Sequence, residues 1–262
     1  MILRKAKQLI IEFREIGEKL ENQNQTILVR NENLKKQNET IISQNAELEW
    51  ANIYHDTIRD KEWLKNLSIS PGRWAANYSL FYILVRILSD YQPINILELG
   101  LGESSKVISC FLDNQLKDSN HVVIEQDASW ISCFKTRFEL SKNSEILHLP
   151  IETKIIKEFQ VNCYREIEKK INHAFDLYIV DGPFGSTNFS RYDICLLAQN
   201  LNQKDEFIII IDDFHRKGEK ETVHDLINQL TVKGIKTFTG NYHGDKEQIV
   251  ITTEKFRLAT SL

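Results

Sequence analysis

Residues 94–105 constrain the fold more than any other part of the chain. This segment begins with a mostly apolar run, continues through Gly100 and Gly102, and ends with Ser104 and Ser105. A short apolar run is typical of a buried parallel strand, and glycines permit a tight turn and close approach of the backbone to a ligand. Either serine can cap a helix over about residues 105–113. The segment therefore predicts a nucleotide-type binding site at the carboxyl end of a sheet.

Two cofactor classes use such a turn. A dinucleotide fingerprint requires a third glycine where this chain has Ser105, which disfavours a nicotinamide-dependent enzyme. The acid-x-Gly-x-Gly pattern of Glu98, Gly100 and Gly102 instead resembles the first motif of class I S-adenosylmethionine (SAM) methyltransferases. That resemblance implies that Glu98 and the glycine backbone face the methionine end of SAM, with Ser104 beside them.

Composition narrows the function classes further. The chain has 262 residues and a formal net charge of −4, so general nucleic-acid binding is not expected. No apolar run approaches the ~18 residues of a membrane span, and the basic N-terminus lacks the apolar stretch of a signal peptide. The four cysteines are far apart in sequence, which favours reduced, buried thiols. We expect a cytoplasmic protein, with attraction of its N-terminus to the inner face of a membrane as an alternative.

Residues 1–52 differ from the rest of the chain and are predicted to form a helical coiled-coil segment ahead of a catalytic domain at 53–262. Apolar residues recur every seven positions, at Phe13, Leu20, Ile27, Leu34, Ile41 and Leu48. Four positions after Leu20, Ile27, Leu34 and Ile41, the chain has asparagines, at Asn24, Asn31, Asn38 and Asn45. With the apolar set at heptad position d, the asparagines occupy a, which favours a parallel homodimer in fixed register. The alternative is a long solvated helix packed on its own catalytic domain.

The catalytic domain is predicted to follow a connector at residues 53–74. Residues 77–89 are predicted to form a helix, and the resemblance to SAM methyltransferases implies that it covers the cofactor pocket. Trp74 and Tyr78 are either core aromatics or contacts to cofactor or substrate. The second strand, residues 121–125, ends in Glu125, which can accept hydrogen bonds from both ribose hydroxyls of a nucleoside. Asp127 is predicted to cap the next helix, and residues 144–149 to form the third strand.

The fourth and fifth strands deliver most of the candidate chemistry. Residues 176–180 lead to Asp181, and residues 207–211 lead to Asp212, Asp213, His215 and Arg216. Side chains at the carboxyl ends of adjacent parallel strands meet where ligands bind in open α/β sheets. A predicted terminal hairpin at 235–242 and 248–253 completes the α/β, Rossmann-like class I methyltransferase fold, a seven-stranded, mostly parallel sheet.

Four separated motifs resemble the plant glucuronoxylan 4-O-methyltransferases and related polysaccharide-biosynthesis proteins. The matching residues are Gly100, Gly102 and Ser104; Glu125, Asp127 and Trp130; Asp181, Pro183, Gly185 and Arg191; and Asp213, Arg216, Lys217 and Glu219. Asp212 departs from the plant pattern, which tends to have histidine there. The resemblance implies methyl transfer from SAM to a sugar hydroxyl, and we expect a bacterial surface glycan or its precursor as acceptor.

The strand-end acids suggest how such a reaction would run. Asp181 or Asp213 is the predicted base, with His215 as a further candidate because its side chain titrates near neutrality. Arg191 or Arg216 is predicted to hold a carboxylate of the sugar, which a bidentate guanidinium suits.

A metal-assisted route is an open alternative. Asp181, Asp212 and Asp213 resemble the oxygen ligands of catechol-type O-methyltransferases, a set suited to Mg²⁺ or Mn²⁺. A second functional alternative is a catalytically silent methyltransferase-like module that its coiled coil tethers to a glycan-assembly complex.

Overall fold

A computed structural model describes residues 2–72 and 75–262. Trp74, one of the predicted ligand contacts, lies outside the described residues. Two separate compact units are present, residues 1–45 and residues 46–262. Across the described residues, no helix combines the length and the apolar character needed to cross a bilayer.

Helices are present at both ends of the chain and between the strands. Within the described residues they are α1 (Ile2–Thr57), α2 (Glu62–Lys65), α3 (Tyr78–Tyr91), α4 (Glu103–Asn114), α5 (Ala128–Arg137), α6 (Ile167–Lys170), α7 (Asp193–Leu197) and α8 (Lys217–Val232), with 3₁₀ helices at Ala198–Asn200 and Glu254–Ser261. The predicted connector at 53–74 is therefore partly helical, since α1 continues to Thr57 and α2 follows it.

Strands alternate with the helices from residue 95 onward. In the described part of the chain they are β1 (Asn95–Leu99), β2 (Asn120–Glu125), β3 (Ser144–His148), β4 (Ile151–Ile156), β5 (Phe159–Tyr164), β6 (Leu177–Val180), β7 (Ile208–Ile211), β8 (Phe238–His243) and β9 (Glu247–Thr252). The main sheet has the order β3-β2-β1-β6-β7-β9-β8. Its first five strands are parallel, and β9 is antiparallel to both β7 and β8. The predicted fold class, with a long N-terminal helix before the sheet, is confirmed.

The central strands are apolar throughout because both faces of the sheet are covered. Ile209 and Ile211 belong to a core that includes residues of α7 and α8, whereas Ile208 and Ile210 belong to a second core with residues of α3 and α4. Alternate side chains of a strand point to opposite faces, so an uninterrupted apolar run indicates a doubly covered strand. This burial fixes the carboxyl ends of β1, β6 and β7 side by side. Of the four cysteines, Cys163 and Cys195 are buried as predicted, whereas Cys110 and Cys133 are half-buried.

The antiparallel pair β4–β5 was not predicted. It forms a separate two-stranded sheet in which Ile156 pairs with Phe159. Its turn residues Lys157 and Glu158 both have positive φ, of 47° and 74°. Such turns normally carry asparagine, aspartate or glycine, so the sequence offers no turn signal here.

Helix α1 has an exposed apolar stripe within the first unit. Five residues of the predicted heptad series are each more than half exposed, namely Phe13, Leu20, Ile27, Leu34 and Ile41. The helical conformation agrees with the seven-residue pattern, and the coiled-coil pairing of two copies stays a prediction.

Candidate active site

A cleft of about 400 Å³ lies at the carboxyl ends of β1, β2, β6 and β7. The glycine turn after β1, Glu125 at the end of β2, the loop after β6 and the loop after β7 contribute to its walls. Lys246, from the turn between β8 and β9, also lines it. The cleft therefore lies at the edge where open α/β sheets bind ligands.

Two glycines bring the loops after β1 and β6 into contact. Gly100 has φ of +104°, and a Cβ there would lie 3.2 Å from the backbone of Asp181 and Gly182. A Cβ on Gly182 would lie 3.0 Å from Gly100 and 2.5 Å from the Tyr164 hydroxyl. Because any side chain would push the loops apart, glycine is required at both positions.

Glu125 is held beside this turn by the backbone. Its Oε2 accepts a hydrogen bond from the N–H of Leu101 at 3.0 Å, and its Oε1 accepts from Gln126 and Asp127 at 2.8 and 2.9 Å. Burial raises the pKa of Glu125, although the three N–H donors oppose the shift. Gln126 Oε1 has no hydrogen-bond partner among the described residues. Glu125 lines the cleft, where remaining lone pairs of its carboxylate can accept hydrogen bonds from ligand hydroxyls.

The predicted cap on α5 is confirmed. Asp127 Oδ1 accepts hydrogen bonds from the N–H groups of Ser129 and Trp130 at 2.8 and 3.1 Å. The Trp130 indole then donates to the Leu101 carbonyl at 2.7 Å. This contact joins the start of α5 to the glycine turn along one wall of the cleft.

Glu98 and Ser104 lie beneath the turn instead of lining the cleft. Glu98 is fully buried and accepts hydrogen bonds from Ser104 and from Ser105 Oγ at 2.6 Å, and its Oε2 lies 3.1 Å from His121 Nε2. Ser105 Oγ in turn accepts from the N–H of Gly102 at 3.0 Å. These contacts stabilise the turn and the start of α4. Neither Glu98 nor Ser104 lines the cleft, and their contact with SAM stays a prediction.

The three predicted strand-end acids come together. One carboxylate oxygen from each of Asp181, Asp212 and Asp213 lies within 4.8 Å of the others. Asp181 keeps 19% of its side chain exposed at the cleft, whereas Asp213 keeps 4%. Two buried cations accompany this acidic cluster, Arg191 and Lys246.

Arg191 is committed to the protein interior. Its Nη2 donates to Asp181 Oδ1 at 3.0 Å and to Asp213 Oδ2 at 2.6 Å, while Nη1 donates to the carbonyls of Val180 and Asp212 at 3.3 and 2.8 Å. Both Arg191 and Asp213 have φ of 58°, an unfavourable region for these residue types. The prediction that Arg191 holds a substrate carboxylate does not fit this geometry, because both terminal nitrogens already bind protein oxygens.

The pKa values of Asp181 and Asp212 are shifted in opposite directions. Burial raises the pKa of Asp181, and the Asp212 carboxylate raises it further, to about 8. Burial also opposes ionisation of Asp212, but Lys246, Arg191 and a hydrogen bond from Gln248 outweigh that effect and lower its pKa. A carboxyl group with a raised pKa is a stronger base once it is ionised, so Asp181 is the acid of this cluster best suited to accept a proton.

The loop after β7 separates two of the predicted residues. Arg216 lines the cleft with half of its side chain exposed and lies 3.0 Å from Asp213 Oδ2. His215 instead lines a neighbouring groove with Lys157 and Lys217. The geometry therefore brings Arg216 to the site and does not bring His215 there.

Two residues that contact the acidic cluster, Lys246 and Gln248, are not predicted from the sequence. Lys246 Nζ lies 3.4 Å from Asp212 Oδ2, and Gln248 Nε2 donates to Asp212 Oδ1 at 2.8 Å. Both come from the terminal hairpin, whose lysine-containing turn is indistinguishable by composition from a solvated surface turn. Pairing of β9 with β7 brings them to Asp212, and only that long-range pairing reveals them.

Comparisons of the sequence with known proteins assign no family. No family model matches the chain. The chain is 25% identical over 160 residues to the protein pelota homolog of Methanocaldococcus jannaschii, a match that includes 59% of this chain and 45% of that protein. The chain thus spans less than half the length of this curated relative, and at this identity the match indicates no shared activity.

Comparisons of the structure find O-methyltransferases. A putative O-methyltransferase from Klebsiella pneumoniae matches with a TM-score of 0.48 and 14% identity, covering 78% of this chain and 89% of that chain. The O-methyltransferase TomG from Streptomyces achromogenes, solved in complex with SAM, matches with a TM-score of 0.46 and 15% identity over the same shares of the two chains. At these scores and identities the likeness assigns neither an activity nor a substrate to this chain.

Proposed function

We propose that this protein is a SAM-dependent O-methyltransferase that acts on a sugar hydroxyl. The observation that carries the proposal is the cleft itself. The glycine turn and Glu125, the acid predicted to bind ribose hydroxyls, lie on one side, and Asp181, the predicted base, lies on the other. The residues present fit SAM because Glu125 faces the cleft and the glycine turn leaves its backbone accessible there. Bound SAM would supply an electrophilic methyl group.

Glu125→Gln is expected to weaken SAM binding roughly 10- to 100-fold, because hydrogen bonds to a charged group contribute about 1.5–3 kcal/mol. Isothermal titration calorimetry with SAM and with S-adenosylhomocysteine measures the change. The oxygen of the glutamine side chain can still accept hydrogen bonds from the N–H groups of Gln126 and Asp127, but its NH₂ group cannot accept from Leu101. The melting temperature of each variant is therefore measured beside its titration, to detect a loss of stability.

The matched control is Glu145→Gln, the same change at an exposed position on the neighbouring strand β3. It should leave SAM affinity within about twofold. If the unaltered protein binds neither compound, the proposed activity is wrong and the catalytically silent module becomes the better account.

The chain's own residues would align the acceptor and accept its proton. Alignment alone contributes roughly 7–11 kcal/mol to such displacements. With SAM bound, the acceptor hydroxyl would receive the methyl group, S-adenosylhomocysteine would leave, and Asp181 would accept the hydroxyl proton. Asp213 has both a lower exposure and two arginine neighbours, Arg191 and Arg216, which favours Asp181 as the base.

Arg216 supports an acidic sugar as acceptor. Its guanidinium is half exposed at the cleft, and a planar guanidinium recognises carboxylate or phosphate by paired hydrogen bonds. A bacterial capsule or lipopolysaccharide glycan, or its nucleotide-sugar precursor, offers such groups. Methyl transfer from labelled SAM to uronic acid sugars, compared with the matching neutral sugars, tests this assignment.

A metal-assisted reaction is the second candidate, favoured by the close approach of Asp181, Asp212 and Asp213. Bound Mg²⁺ or Mn²⁺ would lower the pKa of an acceptor hydroxyl. The donor set is suitable, but the surroundings are not, because Arg191 and Lys246 already supply two positive charges inside the cluster. We therefore favour the route without a metal.

We also propose that two copies of the chain pair through α1 as a parallel coiled coil. The stripe of exposed d residues and the asparagines at four a positions, 24, 31, 38 and 45, support this arrangement. In a parallel pair each asparagine faces its own copy and can share a hydrogen bond. An antiparallel pair would place asparagines against apolar residues, which leaves buried amides without partners.

Ile27→Cys is expected to form a covalent dimer almost completely under mild oxidation, because d residues of a parallel in-register pair face each other. Non-reducing electrophoresis measures the product. Lys36→Cys, on the outer face of the same helix, is the control and should remain mostly monomeric on the gel. Equal cross-linking of the two variants, or a monomer mass in light scattering, would contradict the pairing.

A further inference from the structure

Lys246 is a buried lysine whose ammonium lies inside the acidic cluster. Only 8% of the residue is exposed. Its Nζ donates to the Ala75 carbonyl at 3.0 Å and lies 3.4 Å from Asp212 Oδ2 and 3.8 Å from Asp213 Oδ1. Asp213 Oδ1 has no hydrogen-bond partner among the described residues. The ammonium is therefore the nearest positive charge to a buried oxygen that needs one.

The turn that carries Lys246 is held by two residues of α1 and by a hydrogen bond within the turn. Trp50 donates its indole N–H to the His243 carbonyl at 2.8 Å, and Glu47 accepts from the N–H of Asp245 at 3.0 Å. Within the turn, Gly244 donates to the Lys246 carbonyl at 2.9 Å, and a Cβ on Gly244 would lie 2.7 Å from Glu47. Because the turn is anchored in this way, the position of the ammonium is set by the fold and not by a flexible side chain alone.

Positive side chains already accompany the acids of this cluster. The acids are Asp181, Asp212 and Asp213, with Glu219 Oε1 at 3.8 Å from Arg191 Nε. Arg191 and Lys246 supply two positive charges inside the cluster, and Arg216 supplies a third at its exposed edge. A divalent cation among the same oxygens would lie within a few ångströms of Lys246 and would be repelled by it.

We propose that the Lys246 ammonium is the resident cation of this site and takes the place that a divalent metal would otherwise occupy among the three carboxylates. The ammonium lies 3.4 Å from Asp212 Oδ2 and 3.8 Å from Asp213 Oδ1 and repels a second cation there. This exclusion of a metal does not depend on the proposed function.

Mn²⁺ binding, measured by electron paramagnetic resonance on the full chain, tests the proposal. Removal of the ammonium in Lys246→Gln is expected to increase Mn²⁺ affinity at least about tenfold over the unaltered protein. Lys154→Gln is the matched control, because Lys154 also pairs with two carboxylates, Glu152 at 3.4 Å and Glu168 at 2.9 Å, but outside the cleft. It should gain no comparable affinity.

The double variant Lys246→Gln with Asp212→Asn should lose the gained binding, which assigns it to this cluster. The proposal is overturned if the unaltered protein binds Mn²⁺ as tightly as Lys246→Gln does. If Lys246→Gln does not fold, Lys246→Ala takes its place in this comparison. It is also overturned if a folded lysine variant gains no affinity. SAM calorimetry on the same samples reports separately on the proposed function, so a failure of either idea is recognisable.

Discussion

Asp181→Asn is expected to lower kcat for methyl transfer by roughly 10²- to 10⁴-fold, the usual contribution of a positioned base. The amide has nearly the same shape but cannot accept the hydroxyl proton. Its oxygen can still accept the hydrogen bond from Arg191 Nη2, which keeps the buried guanidinium partnered. Single-turnover methylation with saturating SAM measures the chemical step directly.

Two readouts separate the roles predicted for Asp181. If it is the base, SAM affinity in calorimetry changes by only a few fold while the chemical step collapses. If it instead binds the cofactor, the Kd for SAM rises and the chemical step is largely restored at saturation. Asp113→Asn, at an exposed position on α4 outside the cleft, is the control and should keep full turnover. Full turnover by Asp181→Asn would remove Asp181 from catalysis.

The main sheet is predictable because its central strands are covered on both faces. The apolar runs that become β6 and β7 are interrupted only where the chain reaches the cleft, at Asp181 and Asp212. Parallel pairing of neighbouring strands then brings those acids together, and this needs no knowledge of side-chain packing. The prediction that strand-end carboxylates converge therefore follows from local pattern and topology.

The partners of those acids are not predictable in the same way. The sequence predicts Arg191 or Arg216 to hold a sugar carboxylate because a bidentate guanidinium suits such a group. The structure turns Arg191 inward, where a positive φ directs its guanidinium to four protein oxygens. Lys246 lies 34 residues from Asp212 and reaches it only because β9 pairs with β7. Such contacts depend on tertiary geometry, which sequence spacing alone does not encode.

Asp193 is a second acid whose burial has a large energetic consequence. This first residue of α7 is fully buried, accepts a hydrogen bond from the N–H of Tyr164 at 2.8 Å through Oδ1, and has no partner for Oδ2 among the described residues. Burial raises its pKa from the ordinary value of 3.8 to about 7. Folding therefore favours the protonated carboxyl, and between these two values the folded chain binds more protons than the unfolded chain does.

Asp193→Asn is expected to become more stable relative to the unaltered protein as the pH rises from about 4 to about 7. The stabilisation that protonated Asp193 provides is complete below its unfolded pKa and is lost as the pH rises through its folded pKa. A shift of about three pH units corresponds to roughly 4 kcal/mol at 1.36 kcal/mol per unit. Urea unfolding at successive pH values measures the difference in free energy of unfolding between the two proteins.

The control is Asp113→Asn, at an exposed position on α4. Its free energy of unfolding should change with pH in the same way as that of the unaltered protein. The raised pKa of Asp193 would be contradicted if the difference in free energy of unfolding between Asp193→Asn and the unaltered protein stayed constant from pH 4 to pH 8, whatever the size of that difference. Only a group whose pKa differs between the folded and unfolded states can make this difference depend on pH.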